Sequence, residues 1–375
     1  MNSNLSKLFK QIIIAVAVTI LMTNCKTNKL LLDEKNDSGE INIYVAGYEY
    51  NDSKFESSIE EIADEVGMKH VAKLWKNGTE IHLENNELYS DVSSVSVHNN
   101  NSYVVGTVEP NDEHIAAIWK NGKIQKLTDG ITTAYTRSVC IENNNIYVLG
   151  AQYDKNNYIV KVWKNAVLNS VIKSDHWIDA SSMFVYKGDI FICGNERNGD
   201  EDKQRYRNND IAKIWKNGKV QNLTDGHNNA YALSVFVNND NVFIAGYEIV
   251  NDKCIAKLWK NGKSQNLSDN SNNSIARSIY VYNNNTYVVG SETINGVSVA
   301  KLWVNGNAES ITNGKNNAYA KSVYIHKNNI YIVGIEENNK KRDVAKLWIN
   351  GVAKNLTDGT KNGYANSIFV ENKNK

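Results

Sequence analysis

The side chains best suited to proton transfer lie in one stretch of the chain, Val171–Ser182, which reads VIKSDHWIDASS. Asp175, His176 and Asp179 lie close together in it, and imidazole and carboxylate groups are the usual general acids and bases. The chain has seven histidines, but they form no HxH or HxxxH pair, and it has no GxSxG, phosphate-loop or dinucleotide motif. A hydrolase or lyase is therefore an alternative function rather than the leading one.

The same stretch could bind a partner instead. It contains Trp177, the only tryptophan outside a repeated octapeptide, and the segment Asn195–Asn209 that follows it is rich in arginine and contains a tyrosine. Exposed aromatic and arginine side chains are typical of interaction hot spots. Random sequence change in an unconstrained loop is the alternative explanation for these residues. The predicted binding residues of this region are Asp175, His176, Trp177, Asp179, Arg205, Tyr206 and Arg207.

A repeat must position these residues. Variants of the octapeptide VAKLWKNG occur seven times, and their tryptophans are spaced 44, 44, 52, 44, 44 and 45 residues apart. A period of this size with β-type patterning is typical of a propeller or another stacked-sheet array. The repeated tryptophans, which we expect to pack between the units, are Trp75, Trp119, Trp163, Trp215, Trp259, Trp303 and Trp348.

Each repeat contains four short segments of strand character, which we name A (as in SVFV, Ser234–Val237), B (as in NIYVAG, Asn42–Gly47), C (the octapeptide) and D (before LTDG). Asn-Asn and Lys-Asn-Gly turns separate them, as expected of tight hairpins. Stacking four-stranded sheets in a closed ring buries both faces of every sheet. The sequence therefore predicts an all-β fold, a seven-bladed β-propeller of four-stranded antiparallel blades.

The pattern resembles the β-propeller superfamily, including kelch and WD-repeat proteins, over residues 41–371. The resemblance is architectural, because a single glycine replaces the kelch double glycine and no Trp-Asp pair follows the WD pattern. It implies that strand A is the innermost strand of each blade. The last strand, Ser367–Val370, is then expected to pair beside Asn42–Gly47 and complete the first blade.

Length changes between repeats indicate the functional face. The distances from strand A to strand B and from the tryptophan to the next strand A are constant, so all insertions fall between strands B and C. The first of these, Phe55–Val66, has the spacing of a short amphipathic helix, which could be a lid or part of a partner surface. The B–C and D–A connections lie at one end of the propeller, and we predict binding there.

A second set of candidate residues lies three positions before the serine of strand A. Tyrosines occupy this position in four repeats, whereas Asp91, Asp179 and Ile275 occupy it in the others. Stacked tyrosines could bind sugars in a lectin-like mouth, or they could cap the blades. The four are Tyr135, Tyr231, Tyr319 and Tyr364.

The N-terminus has the features of an export signal. Lys7 and Lys10 precede the apolar run Ile12–Met22, which is too short for a permanent membrane span. The residues up to Cys25 resemble a bacterial lipobox, although Asn24 departs from the usual small residue, and an uncleaved anchor or a simple secretory signal is the alternative. We predict a signal peptide over 1–24, lipidation of Cys25, a tether over 25–40, the propeller over 41–371 and a tail over 372–375.

Charge and cysteine usage exclude some functions. The net charge of +1 gives no bulk field for nucleic acid, and three cysteines after Cys25, all in different repeats, indicate neither a disulfide framework nor a zinc site. We expect no metal or cofactor and a monomer. The leading hypothesis is a non-catalytic binding or scaffold lipoprotein of the bacterial envelope, in the outer membrane or at the cell surface, that binds an envelope protein. Multivalent glycan binding is the second hypothesis.

Overall fold

The computed structural model describes residues 40–51, 70–84, 89–110, 113–154, 157–174, 176–197 and 209–373. The predicted signal peptide, Cys25, most of the tether and the predicted helix Phe55–Val66 lie outside these ranges. Within them, none of the elements is a helix of the length and apolarity needed to cross a membrane.

The described elements are β-strands, and they run in chain order through seven four-stranded sheets. The first repeat gives β1 (Ile41–Tyr50), β2 (His70–Lys76) and β3 (Thr79–Ile81). The second gives β4 (Tyr89–His98), β5 (Asn101–Glu109), β6 (Ile115–Lys120) and β7 (Lys123–Lys126), and the third gives β8 (Ala134–Glu142), β9 (Asn145–Asp154), β10 (Asn157–Lys164) and β11 (Val167–Ile172). The fourth gives β12 (Ile178–Tyr186), β13 (Asp189–Arg197), β14 (Asp210–Lys216) and β15 (Lys219–Asn222).

The last three repeats follow the same order. They give β16 (Ala230–Asn238), β17 (Asn241–Val250), β18 (Lys253–Lys260) and β19 (Lys263–Asn266), then β20 (Ser274–Tyr282), β21 (Asn285–Ile294), β22 (Val297–Val304) and β23 (Asn307–Ser310). The seventh gives β24 (Ala318–His326), β25 (Asn329–Glu337), β26 (Asp343–Ile349) and β27 (Val352–Asn355), and β28 (Gly363–Asn372) ends the series.

The strand order confirms the predicted propeller and its closure. Each sheet runs A, B, C, D, and blade 1 has the order β28-β1-β2-β3, so the last strand of the chain completes the first sheet. β28 pairs antiparallel with β1, with Val45 opposite Ile368. The A strands of successive blades contact one another around the ring, and β28 contacts both β24 and β4. Strand A is therefore the inner strand of every blade.

The asparagine of the octapeptide ties strand C to strand B. In blade 5 the Asn261 backbone N–H donates to the Val242 carbonyl oxygen (2.9 Å), and the Asn261 side-chain oxygen accepts from the Val242 N–H (2.8 Å). Asn261 has a φ of 50°, which asparagine tolerates better than most residues. The same exchange occurs in other blades, such as Asn121 with Ser102. This geometry explains why Asn lies two residues after the tryptophan in each repeat.

A β-bulge in each inner strand explains the glycine of strand B. In blade 5 the pairing shifts between Ala232 and Ser234, so Leu233 is the extra residue. The bulged backbone approaches strand B so closely that a Cβ on Gly246 would lie 1.9 Å from the Tyr231 carbonyl oxygen. The corresponding glycines of the other blades would each place a Cβ within 2.3 Å of a carbonyl oxygen. The extra residues, here called the bulge residues, are Ser93, Arg137, Ser181, Leu233, Arg277, Lys321 and Asn366.

The seven repeated tryptophans are buried, with at most 3% of each residue exposed. Each packs against the preceding blade, as Trp259 does against Phe191, Cys193 and Ile214 of blade 4. The indoles therefore fill the spaces between blades, where large aromatic side chains bury the most area. Hydrogen bonds add to this packing, because the Ile279 N–H donates to the Ser234 Oγ of the neighbouring inner strand (3.2 Å).

A belt of aromatic rings links the inner strands of five blades. The centroids of successive rings are 4.7 to 5.0 Å apart. Ser96 and Cys140 occupy the same strand position in blades 2 and 3, so the belt has small side chains there. The rings, in order around the centre, are Phe184, Phe236, Tyr280, Tyr324 and Phe369.

Deletion of residues 364–371 is expected to abolish the cooperative unfolding of the whole propeller. The deletion removes most of β28, which supplies the inner strand of blade 1 and its contacts with two neighbouring blades. Circular dichroism during thermal unfolding would measure the effect, with a chain lacking only residues 374 and 375 as the control. A cooperative transition near the wild-type temperature in the 364–371 deletion would contradict closure by β28.

Candidate functional site

A cavity of about 340 Å³ opens over blades 1, 2 and 3, where the inner strands begin. We call it the mouth cup. It lies at the B–C and D–A end of the propeller, because its residues come from the first part of the inner strands and the last part of the B strands. Its lining residues are Tyr48, Tyr89, Asp91, Val92, Ser93, Thr107, His114, Tyr135, Thr136, Arg137 and Asn366.

The inner-strand bulges bring polar side chains into the mouth cup. Ser93, Arg137 and Asn366 are the bulge residues of three adjacent blades, and all three line the cup. Bulges commonly redirect a side chain in this way beside functional sites. Asn366 is held in place because its side-chain nitrogen donates to the Val92 carbonyl oxygen (2.9 Å) and its oxygen accepts from the Lys321 Nζ (3.3 Å).

Asp91 is the carboxylate of the mouth cup. Its Oδ1 accepts a hydrogen bond from the backbone N–H of Thr107 (3.0 Å). Burial raises the pKa of Asp91 above its usual range, while the nearby His70, the hydrogen bond from the Thr107 N–H and the Arg137 guanidinium act in the opposite direction. Asp91 is thus a partly desolvated acceptor surrounded by groups that can donate or carry positive charge.

Two histidines that no local sequence motif marks, His70 and His114, lie near Asp91. His70 is buried and its Nδ1 lies 3.2 Å from the Ser90 carbonyl oxygen; a carbonyl only accepts, so Nδ1 carries the proton. The His70 ring lies against Tyr89 (4.0 Å) and Tyr48 (4.6 Å). The His114 Nδ1 contacts the Glu109 carboxylate, and the His114 ring centroid is 5.8 Å from that of Tyr135.

The two histidines occupy the same position in neighbouring repeats, which is the sequence signal that marks them. His70 and His114 each immediately precede the octapeptide, one repeat apart, so no local motif such as HxxxH links them. The same position holds Tyr158, Asp210 and Asp343 in other blades. His114 of this position lines the mouth cup. Asp210 and Asp343 instead accept hydrogen bonds from the tyrosines of the following blades, Tyr231 and Tyr364.

Arg137 joins the mouth cup to Asp179 of the next blade. Its Nη2 lies 3.6 Å from the Asp179 Oδ1, its guanidinium is hydrogen-bonded to Tyr158, and it lies over the Tyr135 ring at 5.6 Å. Burial raises the pKa of Tyr158 to about 12, so this hydroxyl is protonated at neutral pH. Asp179 thus lies beside the cup through its contact with Arg137.

The four candidate tyrosines have different environments. The Tyr231 hydroxyl donates to Asp210 (2.7 Å), and the Tyr364 hydroxyl donates to Asp343 (2.8 Å) of the preceding blade, so both act as caps between blades. Tyr319 packs against a cluster that includes Ile335, Tyr50 and Tyr364. Tyr135 alone of the four lines the mouth cup.

The candidate residues of blade 4 do not form one site in the described ranges. Trp177 packs on Tyr158 and Tyr153 of blade 3, with ring centroids 4.7 and 5.5 Å apart. The His176 N–H donates to the Ser174 Oγ (3.1 Å), whereas Asp179 turns towards Arg137. The remaining predicted residues of this region, Asp175, Arg205, Tyr206 and Arg207, lie outside the described residues.

Metal ligands are not clustered in the part of the chain that the structure describes, where no group of three or more His, Cys, Asp or Glu side chains is arranged to hold an ion. The mouth cup instead combines hydrogen-bond donors and acceptors, such as Arg137 and Asp91, with tyrosine rings. This arrangement suits a polar organic ligand.

Comparison with known proteins identifies no family. No protein-family model matches the chain, and no curated protein matches it. Among solved structures, the acylaminoacyl peptidase of Pyrococcus horikoshii is similar with 13% identity and a TM-score of 0.46 over 72% of this chain, which spans about half (53%) of that protein. A subtype N10 neuraminidase-like protein of the isolate A/little yellow-shouldered bat/Guatemala is similar with 12% identity and a TM-score of 0.46, covering 67% of this chain and 92% of that one. Similarity at this level gives no information about ligand or reaction.

Replacing Asp91 with Asn is expected to stabilise the fold at neutral pH more than at acidic pH. Because the pKa of folded Asp91 is raised above its ordinary 3.8, the folded state binds the proton more tightly than the unfolded state. The wild-type free energy of unfolding therefore falls as pH rises from about 3.8 through the raised pKa, and Asn, which cannot ionise, removes this fall. Denaturant unfolding of both proteins across this pH range would measure it. An equal difference at every pH would contradict the assignment.

Proposed function

We propose that this protein is a non-catalytic binding protein of the bacterial cell envelope that holds one sugar unit of a glycan in the mouth cup. The lipid on Cys25 would anchor the chain, with the segment up to residue 40 as the tether. The mouth cup carries the proposal, because it combines a ligand-sized cavity with polar groups and tyrosine rings at the predicted binding end.

The size of the cup favours a small ligand. Its volume of about 340 Å³ lies at the lower end of the usual range for small-molecule pockets, roughly 300 to 1,000 Å³. A protein partner would instead need a contact surface of about 800 Å² on each side. One ring-sized polar unit fits the cup, and the rest of a glycan would extend over the B–C and D–A connections.

The chemistry of the cup fits a sugar. Sugar hydroxyls both donate and accept, and the cup offers the Asp91 carboxylate as an acceptor, the Arg137 guanidinium as a donor and the side chain of Asn366. The flat ring of Tyr135 offers an apolar face beside these groups, of the kind that the C–H face of a pyranose covers. Hydrogen bonds from Thr107 to Asp91 and from Lys321 to Asn366 hold the polar groups before the ligand arrives.

Binding is favoured over hydrolysis. Most glycoside hydrolases need two carboxyl groups on either side of the scissile bond. Among the described residues that line the cup, Asp91 is the one carboxylate, and the neighbouring Asp179 is engaged by Arg137. The proposal also differs from the multivalent lectin hypothesis, since only one of the four candidate tyrosines lines the cup. We therefore expect one glycan site per chain.

A protein partner on the same face is the second candidate. It is supported by the position of the long B–C connections, which the sequence places at this end in blades 1 and 4. Binding of an envelope protein would then depend on Arg205 and Trp177, whereas glycan binding would depend on the mouth cup. The two candidates are separable by mutation.

Replacing Arg137 with Met, or Tyr135 with Ala, is expected to weaken glycan binding by about tenfold or more. Arg137→Met removes a charge-assisted hydrogen bond, which contributes roughly 1.5–3 kcal/mol, and about 1.4 kcal/mol is tenfold in affinity. Tyr135→Ala removes a stacking face together with the apolar area that it covers. An array of immobilised glycans would select a ligand for the wild-type chain, and calorimetric titration would then compare the variants. Tyr319→Ala is the matched control, because Tyr319 occupies the same strand position in blade 7 and does not line the cup.

Two outcomes would count against the proposal. The first is an array on which the folded wild-type chain binds nothing. The second is an equal loss of binding in Tyr319→Ala and Tyr135→Ala, which would indicate a general effect on the fold. Capture of an envelope protein that is abolished by Trp177→Ala with Arg205→Ala and unaffected by Arg137→Met would support the protein partner instead.

A further inference from the structure

The outer strand of blade 3 differs from the other six outer strands. β11 (Val167–Ile172) has six residues, whereas the other outer strands have three or four. Its sequence, VLNSVI, contains no charged residue, while each of the others contains a lysine or a glutamate. Charged side chains on an edge strand are a common protection against pairing with another chain. β11 lacks this protection.

A bulge explains why β11 exposes apolar side chains. Counting from the tryptophan, Val171 corresponds to the leucine that begins LTDG in other repeats, and that leucine is buried, as at Leu223 and Leu267. In β11, however, the pairing shifts so that Asn169 is extra, and Val171 lies opposite Lys161 on the outer ladder. Ile172 instead packs against the core at the place that the leucine occupies in other blades. Val171 is consequently 40% exposed.

The exposed side chains of β11 form an apolar edge. Val167 is 70% exposed and Leu168 is 48% exposed, so with Val171 they account for three of the seven large hydrophobic residues that the described ranges expose. The outward backbone edge of β11 faces away from the blade, because β11 is the last strand of its sheet. Such an edge offers unpaired N–H and C=O groups to an additional strand.

The register of β11 makes this edge self-complementary. Without the bulged Asn169, five ladder positions remain: Val167, Leu168, Ser170, Val171 and Ile172. A two-fold axis perpendicular to the sheet, midway between Ser170 and its copy, places Val167 opposite Ile172 and Leu168 opposite Val171. Each pair lies on one face, as antiparallel pairing requires, and apolar residues meet apolar residues.

We infer that the β11 edge pairs with the β11 edge of a second copy of this chain, forming a two-fold dimer with a continuous eight-stranded sheet across two blades. This inference replaces the expectation of a monomer and does not depend on the proposed glycan site. One strand pair covers less than the roughly 1,200 Å² of a standard stable interface. The dimer is therefore weak in dilute solution and is strengthened where the copies are concentrated, as on a shared surface.

A cysteine at the two-fold position tests the register. Ser170→Cys places two thiols across an antiparallel pair, where Cα atoms are about 4.5–5.5 Å apart and can form a disulfide. Mild oxidation of the full chain is expected to give a disulfide-linked dimer about tenfold or more faster than Ser264→Cys. Ser264 is the matched control because it is exposed on β19, the outer strand of blade 5, and both variants share the native cysteines.

A charge on the edge tests the apolar contacts. Leu168→Lys in the Ser170→Cys chain is expected to reduce crosslinking to the Ser264→Cys rate, while Val352→Lys leaves it unchanged. Val352 is a matched control because it is 73% exposed on β27, the outer strand of blade 7. Thermal unfolding of each variant would establish that it is folded.

Sedimentation velocity of the wild-type chain provides an independent measurement. A monomer–dimer equilibrium that shifts with protein concentration, and that Leu168→Lys abolishes, would support the inference. Crosslinking of Ser170→Cys at the rate of Ser264→Cys, or crosslinking unaffected by Leu168→Lys, would overturn it. So would a chain that remains monomeric at every concentration.

Discussion

The close approach of strand B to the bulged inner strand is the constraint on which the rest of the structure depends. A Cβ at Gly246 would lie 1.9 Å from the Tyr231 carbonyl oxygen, which no side chain can accommodate without moving the backbone. Because the glycine permits the bulge, each blade gains one residue that leaves the normal strand alternation. In blades 1, 2 and 3 that residue lies in the mouth cup. The close approach that packs strand B against strand A therefore also places side chains in the mouth cup.

Constant and variable residues occupy different positions of the repeat. The tryptophans and the strand B glycines are the same in every blade, and they account for the packing between blades and within them. The residue before the octapeptide and the residue three positions before the inner-strand serine vary instead. Where they are Asp343 and Tyr364, they form a hydrogen-bonded cap between two blades. Where they are His114 and Tyr135, they border an open cup.

Much of the fold could be predicted from the sequence because its determinants are periodic. The tryptophan spacing predicted the number of blades, and the position of the last strand predicted closure beside β1. The mouth cup was harder to predict from the sequence. His70 and Asp91 lie in neighbouring blades and come together through the packing of those blades rather than through a local motif. Arg137 is distinguished from an ordinary strand residue only by the bulge. The tryptophan that departs from the repeat, Trp177, packs on Tyr158.

A segment that departs from the repeat sequence therefore indicates a function only when its position in the structure is known. The stretch that begins at Val171 lost the LTDG motif, and by composition it suggested a binding loop. In the structure its first two residues extend β11, and the bulge at Asn169 shifts an otherwise buried position to the surface. A random loss of the motif would be expected to expose a mixture of polar and apolar residues. In β11, by contrast, Val167 and Leu168 on one side of Ser170 match Val171 and Ile172 on the other, and β11 has no charged residue. Pairing with an identical strand requires this arrangement.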